Sequence, residues 1–370
     1  MRVAVVHYWL TGMRGGEKVL EAILNLFPDA DVFTHVYVPE SVSPDIYKHN
    51  VRTSFIQNLP FASKAYKKYL PLMPLALEQL DLREYDLVIS SESGPAKGVL
   101  TGANTLHVCY CHTPMRYLWD FYQNYLEESG MITRMTFRIF APLLRIWDTL
   151  TAQRVDFFVA NSHNVARRIA KHYHRFAEVI YPPVDVQSFA PSRKTYPVPK
   201  DYYLCVGQLV AYKRVDLAVQ ACNCLRKQLV VIGDGPEQKK LKTMAGSTVT
   251  FLGRQDDTSL RRYMQCCRAL LFPGEEDFGI VPVEALAAGR PVIAFGRGGV
   301  LETVRHGHTG ILFPTQDTLS LCSAIKTLES GLHNFEPTTL TKEVERFSCK
   351  RFQSHFSRFL EDCLHKNTDR

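Results

Sequence analysis

The chain has 370 residues, of which 46% are hydrophobic and 22% charged, and its formal net charge is +7. This length exceeds one ordinary domain and fits two globular domains of roughly 180 residues each. The positive charge favours anionic partners, but no clustered basic patch or known nucleic-acid-binding module accompanies it, so we expect no nucleic acid partner.

Membrane spans and disulfides are also disfavoured. No apolar run reaches the length of a membrane span and the first residues lack a signal-peptide pattern, which predicts a cytoplasmic protein. The ten cysteines lack the spacing of zinc or redox sites, so they are expected to be reduced and mostly buried.

The chain opens with an apolar run at 2–8, a glycine loop at 10–16 and a helical pattern over 19–27. Strand, glycine loop and helix are the opening of a doubly wound parallel sheet. Gly15 and Gly16 would let the backbone approach a bound group closely, although a plain tight turn is an equal alternative. The glycine spacing differs from that of dinucleotide sites and no P-loop occurs, which disfavours NAD and P-loop nucleotides.

Four more strands are predicted in the first half, at 32–37, 87–90, 105–111 and 156–160. His112 lies where the third of these ends and the chain turns, the place where functional groups of such sheets gather. His112 is therefore a candidate site residue, with a purely structural histidine as the alternative. Ser162 is predicted to cap a helix over 165–171.

Two segments of this half are predicted to be surface helices. The segment 131–147 carries Arg134, Arg138 and Arg145 beside a broad apolar face, and 61–77 combines lysines with apolar residues. A basic amphipathic helix can lie in an anionic lipid interface. The alternative is a helix that faces the core and has solvated cations.

A proline-rich polar stretch interrupts this pattern, after which strands and helices alternate again. Strands are predicted at 202–206, 229–232, 249–252, 268–272, 292–295 and 311–313, with late helices at 319–328 and 341–364. We therefore predict an α/β chain of two doubly wound, Rossmann-like domains that face each other across a cleft. The proposed division is 1–185 for the first domain, 186–200 for a linker, 201–345 for the second domain and 346–370 for a C-terminal helix that could return to the first.

Three loops of the second half follow predicted strands and so share one edge of its sheet: 207–214, 233–237 and 273–281. Lys213 and Arg214, in the first loop, could meet a diphosphate. Gly233 and Gly235, in the second, fit a turn beneath a nucleotide base, although Gly-Asp-Gly-Pro is also a common plain turn.

The third loop leads into a helix that we predict to begin at Pro282 and to end at Gly289. A helix N-terminus attracts anions. Glu276 and Glu284 flank it, so a guest with hydroxyl groups as well as phosphate, such as a nucleotide sugar, fits better than phosphate alone. For Glu284 the alternative is a carboxylate that stabilises the helix start without a ligand.

The chain resembles the retaining glycosyltransferases of family 4 in six features. They are the N-terminal glycine loop, His112, GQLVAYKR, VVIGDGPE, the E-x7-E pair in EEDFGIVPVEALAAG and the later GRGGVLETV. The resemblance covers nearly the whole chain. It implies the GT-B fold, with the acceptor bound mainly by the first domain, the nucleotide sugar mainly by the second, and no metal. YKRVD and the histidine before TPMRY look most like mannosyltransferases of bacterial polysaccharide and O-antigen assembly.

The resemblance also implies roles for individual residues. Lys213 would stabilise the leaving diphosphate, Glu276 would hold sugar hydroxyls, and Glu284 would accept from the ribose. His112 would meet the transferred sugar. The remaining binding candidates are Gly15, Gly16, Gly207, Gly233, Gly235, Phe278, Gly279, Ile280 and Val281. Many family members have arginine where this chain has Gln208, so either Arg214 replaces that charge or diphosphate stabilisation is weaker.

The predicted function is transfer of mannose from GDP-mannose, with retained configuration, to a polyprenyl-diphosphate-linked oligosaccharide. The enzyme would bind peripherally to the anionic, cytosolic face of the inner membrane. One alternative is the same reaction with UDP-glucose or UDP-N-acetylglucosamine as the donor. Another is a non-catalytic scaffold in a polysaccharide assembly complex.

Overall fold

The computed structural model describes residues 1–192 and 196–368, and these residues form two compact units. The first unit comprises Met1–Pro183 and the described residues from Phe352 onward, and the second comprises Val184–Arg351. Each unit contains one wholly parallel sheet with helices around it, so the predicted α/β class is confirmed. Residues 193–195 of the predicted linker and 369–370 of the predicted C-terminal helix lie outside the described residues.

The sheet of the first unit has seven strands in the order β3-β2-β1-β4-β5-β6-β7. They are β1 (Val3–His7), β2 (Asp31–Thr34), β3 (Val51–Thr53), β4 (Leu87–Glu92), β5 (Leu106–Cys111), β6 (Phe157–Ala160) and β7 (Ala177–Val179). The order reverses direction between β1 and β4, where ligands bind in doubly wound sheets.

The α-helices of the first unit lie between these strands in the chain. They are α1 (Gly15–Leu24), α2 (Pro44–Tyr47), α3 (Ala62–Ala65), α4 (Met73–Glu78), α5 (Tyr122–Glu128), α6 (Met131–Thr151) and α7 (His163–Tyr173). The Ser162 hydroxyl accepts the Val165 N–H at 3.0 Å, which confirms the predicted N-cap of α7.

The sheet of the second unit has six strands in the order β10-β9-β8-β11-β12-β13, with the reversal between β8 and β11. They are β8 (Tyr202–Val206), β9 (Gln228–Ile232), β10 (Val249–Gly253), β11 (Ala269–Phe272), β12 (Val292–Phe295) and β13 (Gly310–Phe313). Its helices are α8 (Val186–Phe189), α9 (Val215–Leu225), α10 (Gln238–Met244), α11 (Asp257–Cys266), α12 (Ile280–Ala287), α13 (Val300–Thr303), α14 (Thr318–Glu329) and α15 (Pro337–Glu343). The helix α8 lies inside the stretch 186–200 that the sequence suggested as a linker.

The last helix, α16 (Cys349–Thr368), packs on the first sheet. Its Phe352, Phe356 and Leu360 are buried in the same cluster as Val5 of β1 and Val108 of β5. These aromatic and aliphatic side chains repeat every four residues, so one face of the helix covers the strands.

Three predicted elements are corrected by the structure. The segment 61–77 is not one helix, because Phe61 has φ +56° and a 3-10 turn over Tyr66–Leu72 separates α3 from α4. The segment 341–364 is divided between α15 and α16 by a 3-10 turn at Glu345–Phe347. The helix predicted to begin at Pro282 begins at Ile280.

The predicted helix 131–147 is confirmed as α6, and most of its apolar residues are exposed. Six of them recur at three- and four-residue intervals and fall within about 80° at 100° per residue. These six define the α6 stripe: Ile132, Met135, Ile139, Leu143, Ile146 and Leu150, which are 59–84% exposed. The opposite face of α6, with Phe137, Ala141 and Leu144, is buried in the first unit.

All ten cysteines are free and seven of them are buried, as predicted. Within the described residues, no helix is long and apolar enough to cross a membrane.

Candidate functional site

In the second unit, the loops after β8 and β11 meet at an ion pair. Lys213 Nζ lies 2.8 Å from Glu276 Oε1, and both side chains are largely shielded from solvent, with 17% and 23% exposed. Lys213 ends a 3-10 turn over Ala211–Lys213 that follows β8, and Glu276 follows β11. Because β8 and β11 are neighbours where the strand order reverses, this pair lies at the edge that binds ligands in such sheets.

Glycines allow these loops to pack on each other and on Lys213. A Cβ on Gly207 would lie 2.9 Å from Lys213 Nζ, and a Cβ on Gly274 would lie 2.7 Å from Lys213 Cα. A Cβ on Gly233 would lie 1.9 Å from the Gly207 carbonyl oxygen, and one on Gly235 would lie 2.3 Å from that of Leu209. The three predicted loops are therefore brought together by backbone contacts that side chains would block.

The loop that contains Glu276 leads directly into α12. Gly279 precedes the helix with φ +90°, and Ile280 and Val281 are its first two residues. Pro282 is consequently the third helical residue, which is tolerated because the first four helical N–H groups lack partners within the helix. The positive end of α12 thus begins four residues after Glu276 in the chain.

Two further predicted residues are buried around α12. Phe278 is 3% exposed and packs edge-on against Phe347 at a centroid distance of 5.4 Å. Glu284 lies in the middle of α12 and is 4% exposed. Phe278 therefore fixes the loop by packing, and only its backbone remains as a candidate for binding.

The glycines of the segment GRGGV support the same loop, a role that sequence reasoning did not assign to them. The Gly299 N–H donates to the Glu276 carbonyl at 2.8 Å. A Cβ on Gly298 would lie 2.5 Å from that same carbonyl oxygen, and one on Gly299 would lie 2.0 Å from the Asp277 carbonyl oxygen. Paired glycines after a buried strand were the available signal for such a close approach.

Arg214 is adjacent to Lys213 but contacts a different carboxylate. Its Nε and Nη2 atoms lie 3.1 Å from the Asp216 carboxylate oxygens, and its φ is +50°. Gln208 is exposed. The Arg214 charge is therefore shared with Asp216 in this structure.

In the first unit, His112 follows β5 and is held by the end of β4. The His112 N–H donates to the Glu92 carbonyl at 2.8 Å, and the His112 Nε2 atom lies 2.9 Å from the Ser91 hydroxyl. The Ser91 hydroxyl also lies 3.0 Å from Nδ1 of His7, at the end of β1. Sequence reasoning missed Ser91 and His7 as partners of His112, because contacts between strands depend on their order and register.

Gly15 and Gly16 are the first two residues of α1. A Cβ on Gly16 would lie 2.4 Å from the Tyr8 hydroxyl and 3.7 Å from His7 Cε1. Gly16 is therefore required for α1 to begin close to the end of β1. The third helical residue, Glu17, accepts the Arg14 N–H at 3.0 Å.

A buried ionic cluster lies behind His112. Lys97 is fully buried, and its Nζ contacts the carboxylates of Glu92, at 3.0 Å, and of Asp148 in α6. Burial raises the pKa of Glu92. Burial would lower the pKa of Lys97, but the charges of Asp148 and Glu92 outweigh it, so the pKa of Lys97 is raised. The ammonium group therefore stays charged, and the cluster fixes the segment whose carbonyl holds His112.

The structure pairs Lys213 with Glu276, which lies four residues before the start of α12, in the second unit. In the first unit it connects His112 through Ser91 and His7 to Glu17 at the start of α1. Among residues 1–192 and 196–368, no three His, Cys, Asp or Glu side chains converge as a metal site. The arrangement offers a cation, a carboxylate and helix N–H groups, which suit a phosphate-bearing ligand with hydroxyl groups.

Solved structures of two other proteins share this architecture. Anabaena Alr3699/HepE in complex with UDP-glucose superposes with a TM-score of 0.72 and 18% identity over 98% of this chain and 100% of that one. The sucrose-phosphate synthase of Thermosynechococcus elongatus superposes with a TM-score of 0.73 and 17% identity over 99% of this chain and 100% of that one. At these identities the likeness shows the fold alone, and that fold is GT-B.

Two family models match the sequence. The model described as Glycosyltransferase Family 4 matches residues 13–188, and the model described as Glycosyl transferases group 1 matches residues 200–330. Both units of the chain are therefore similar to glycosyltransferases, the first to the model of family 4 and the second to the model of group 1. The D-inositol 3-phosphate glycosyltransferase of Mycolicibacterium paratuberculosis is 28% identical over 198 residues, which are 48% of this chain and 45% of that relative. The match thus spans less than half the length of that relative.

Proposed function

We propose that this chain is a retaining glycosyltransferase that moves a hexose from a nucleotide sugar to an acceptor hydroxyl. The observation that carries the proposal is the Lys213–Glu276 ion pair at the reversal of strand order, with Glu276 four residues before the start of α12. A nucleotide sugar supplies the diphosphate that a cation and helix N–H groups attract, and the hydroxyls that a carboxylate accepts.

The ion pair suggests how the site responds to the donor. Before the donor binds, Glu276 holds the Lys213 ammonium near the loop that follows β8. A diphosphate carries more negative charge than one carboxylate and would draw the ammonium toward itself. Glu276 would then be available to accept hydroxyl groups of the sugar.

In the proposed reaction, the bond between the sugar C1 and the diphosphate oxygen breaks while the acceptor oxygen bonds to C1 on the same face. The acceptor proton passes to the departing phosphate oxygen. Lys213 and the first N–H groups of α12 would stabilise the charge that develops on the diphosphate, an electrostatic effect worth several kcal/mol. In this proposal Glu276 binds hydroxyls and does not act as the nucleophile, and His112 contacts the transferred sugar.

Arg214 is proposed as a secondary cation for the same diphosphate. Since its guanidinium is paired with Asp216, it contributes less charge to a ligand than an unpaired arginine would. The neutral Gln208 cannot replace that charge. We therefore expect Lys213 to be the main stabiliser of the leaving group.

GDP-mannose is the proposed donor, because YKRVD and the sequence after His112 look like those of mannosyltransferases. UDP-glucose is a second candidate, since a protein of the same fold has been solved in complex with it. The purified protein would be incubated with GDP, UDP, GDP-mannose, UDP-glucose and UDP-N-acetylglucosamine, and the thermal shift and slow release of nucleotide would be measured. Stabilisation by GDP and hydrolysis of GDP-mannose are expected. A response to UDP alone would reject mannose, and no response to any nucleotide would favour a non-catalytic scaffold.

The proposed acceptor is a polyprenyl-diphosphate-linked oligosaccharide, which places the reaction at a membrane surface. We propose that the α6 stripe lies in the anionic, cytosolic face of the inner membrane. The stripe is apolar, whereas two of the predicted membrane-facing arginines are engaged with the protein, because Arg134 donates to the Leu126 carbonyl and Arg145 to the Leu118 carbonyl. Apolar contact is therefore expected to contribute more to membrane binding than charge.

Vesicle flotation tests this attachment. A variant with Ile132→Ser, Ile139→Ser and Leu143→Ser should lose binding to anionic phosphatidylglycerol vesicles, while Leu319→Ser, at a residue 81% exposed in the second unit, should retain it. Unchanged flotation of the triple variant would reject the membrane role. If the unaltered protein proves to be a dimer and the triple variant a monomer, the stripe would be assigned to self-association instead.

A further inference from the structure

His112, Ser91 and His7 lie within hydrogen-bonding distance in series, and the Glu17 carboxylate of α1 lies close to the far side of His7. Ser91 Oγ lies 2.9 Å from His112 Nε2 and 3.0 Å from His7 Nδ1, and His7 Nε2 lies 3.8 Å from Glu17 Oε1. Ser91, His7 and Glu17 are at most 3% exposed. Water therefore has little access to these contacts, and the protein itself determines where the protons lie.

The register of the first sheet builds this series. His7 and Ser91 are paired across the neighbouring strands β1 and β4, and both lie on the sheet face that packs against α1. Glu17 reaches the series from the first turn of α1, whose close approach to the sheet depends on Gly16. The series is thus a consequence of strand order and of the glycine turn.

A serine hydroxyl has one proton, so Ser91 can donate to one imidazole and must accept from the other. If His7 Nε2 had no proton, its lone pair would face the negatively charged Glu17 carboxylate. The carboxylate charge therefore favours a proton on Nε2. A neutral imidazole has one ring proton, so a proton on Nε2 leaves Nδ1 as an acceptor. Neutral His7 protonated on Nε2 has its lone pair on Nδ1 and therefore accepts the Ser91 proton.

The direction of the hydrogen bond between Ser91 and His112 follows from this. With its proton donated to His7, Ser91 Oγ accepts from His112, which requires the proton of neutral His112 to be on Nε2. We propose that His7 and Ser91 are positioning residues that hold His112 in the Nε2–H tautomer. Any substrate group that reaches Nδ1 must then be a hydrogen-bond donor, such as a sugar hydroxyl.

This inference deepens the proposed function and rests on it only for the substrate. The tautomer can be measured without any activity. In protein labelled with 15N-histidine, two-bond 15N–1H correlations of His112, assigned by comparison with His112→Gln, should show protonated Nε2 and unprotonated Nδ1. Protonation on Nδ1 would overturn the inference, even if the protein proves to be a glycosyltransferase.

The chain provides a matched control for variants. Ser90 precedes Ser91 in β4, is equally buried, and lies 2.9 Å from Nε2 of another buried histidine, His107. Because side chains alternate along a strand, the Ser90–His107 pair is on the opposite face of the sheet. Ser90→Ala therefore removes the same kind of contact, with a similar expected loss of stability, away from His112.

Ser91→Ala should change the His112 correlations to those of a mixture of tautomers, while Ser90→Ala should leave them unchanged. With the donor identified in the nucleotide panel, Ser91→Ala should lower kcat about fivefold, as expected for loss of one hydrogen bond, with little change in the KM for the donor. Ser91→Thr, which keeps the hydroxyl, should restore most of the rate. Equal effects of Ser91→Ala and Ser90→Ala on kcat would mean that Ser91 has only a structural role.

Discussion

Lys97→Met tests whether the buried ionic cluster supports the first unit. The substitution retains most of the side-chain volume but removes the ammonium that contacts Glu92, Asp148 and, at 3.3 Å, the Tyr173 hydroxyl. Two buried carboxylates would then lack their cation. Breaking a buried ion pair in this way costs about 3–5 kcal/mol. At about 2–4 °C per kcal/mol for a domain of this size, the melting temperature should fall by roughly 6–20 °C.

The assay is thermal and urea unfolding of the full chain, followed from pH 4 to pH 8. In the variant, burial without a cation raises the carboxyl pKa values above their unfolded values, so the folded state binds more protons. The variant should therefore be least impaired at acid pH and should lose stability as pH rises through the raised pKa values. Lys48→Met is the control, because Lys48 forms an exposed pair with Asp45 at 2.9 Å and should cost less than about 1 kcal/mol. A pH-independent loss in Lys97→Met, or a loss equal to that of the control, would refute this reasoning.

Two further predictions concern a glycine and a histidine. Gly299→Ala should weaken nucleotide-sugar binding, measured by calorimetry, because the added Cβ would lie 2.0 Å from the Asp277 carbonyl oxygen. Gly12→Ala is the control and should not weaken binding, because no atom lies within 4 Å of its Cβ. Equal affinities of the two variants would contradict the proposed loop support. Burial lowers the pKa of His107 to about 4, so the unfolded state binds more protons between about pH 4 and 6.5 and stability falls as pH falls through this window. His107→Gln should reduce the slope of unfolding free energy against pH there, and an unchanged slope would show that His107 is not responsible.

Much of the fold could be predicted from the sequence because most strands are continuous apolar runs that end in polar residues. The strands β3 and β7 were missed, since each has three residues and forms an edge of the sheet, which is too short to show a pattern. The break between α15 and α16 was not predicted from the sequence. At the break, the Phe347 carbonyl accepts the Val184 N–H at 2.9 Å, and the Phe347 ring packs against Phe278. These tertiary contacts override the local preference for a helix.

The sequence predicted the individual loops of the candidate site but not the contacts between them. Lys213, Glu276 and the helix after them could be assigned because each follows a strand of a parallel sheet. Their mutual ion pair could not be read from the sequence, since it depends on how the two loops pack around glycines. The contact between His112 and Ser91 was unpredictable for a similar reason, because it depends on the pairing of two strands.

The effect of Lys213→Ala on turnover and on donor affinity tests the central claim most directly. If Lys213 stabilises the diphosphate as it leaves, kcat for sugar transfer should fall about 10²–10³-fold, while the Kd for the nucleotide sugar, measured by calorimetry, should change far less. Lys240→Ala is the control and should leave both quantities unchanged. It removes a lysine that pairs with Glu237 at 2.9 Å on the exposed surface of the same unit. Equal losses in kcat/KM and in donor affinity, with kcat preserved, would show that Lys213 only binds the donor and would contradict the proposed mechanism.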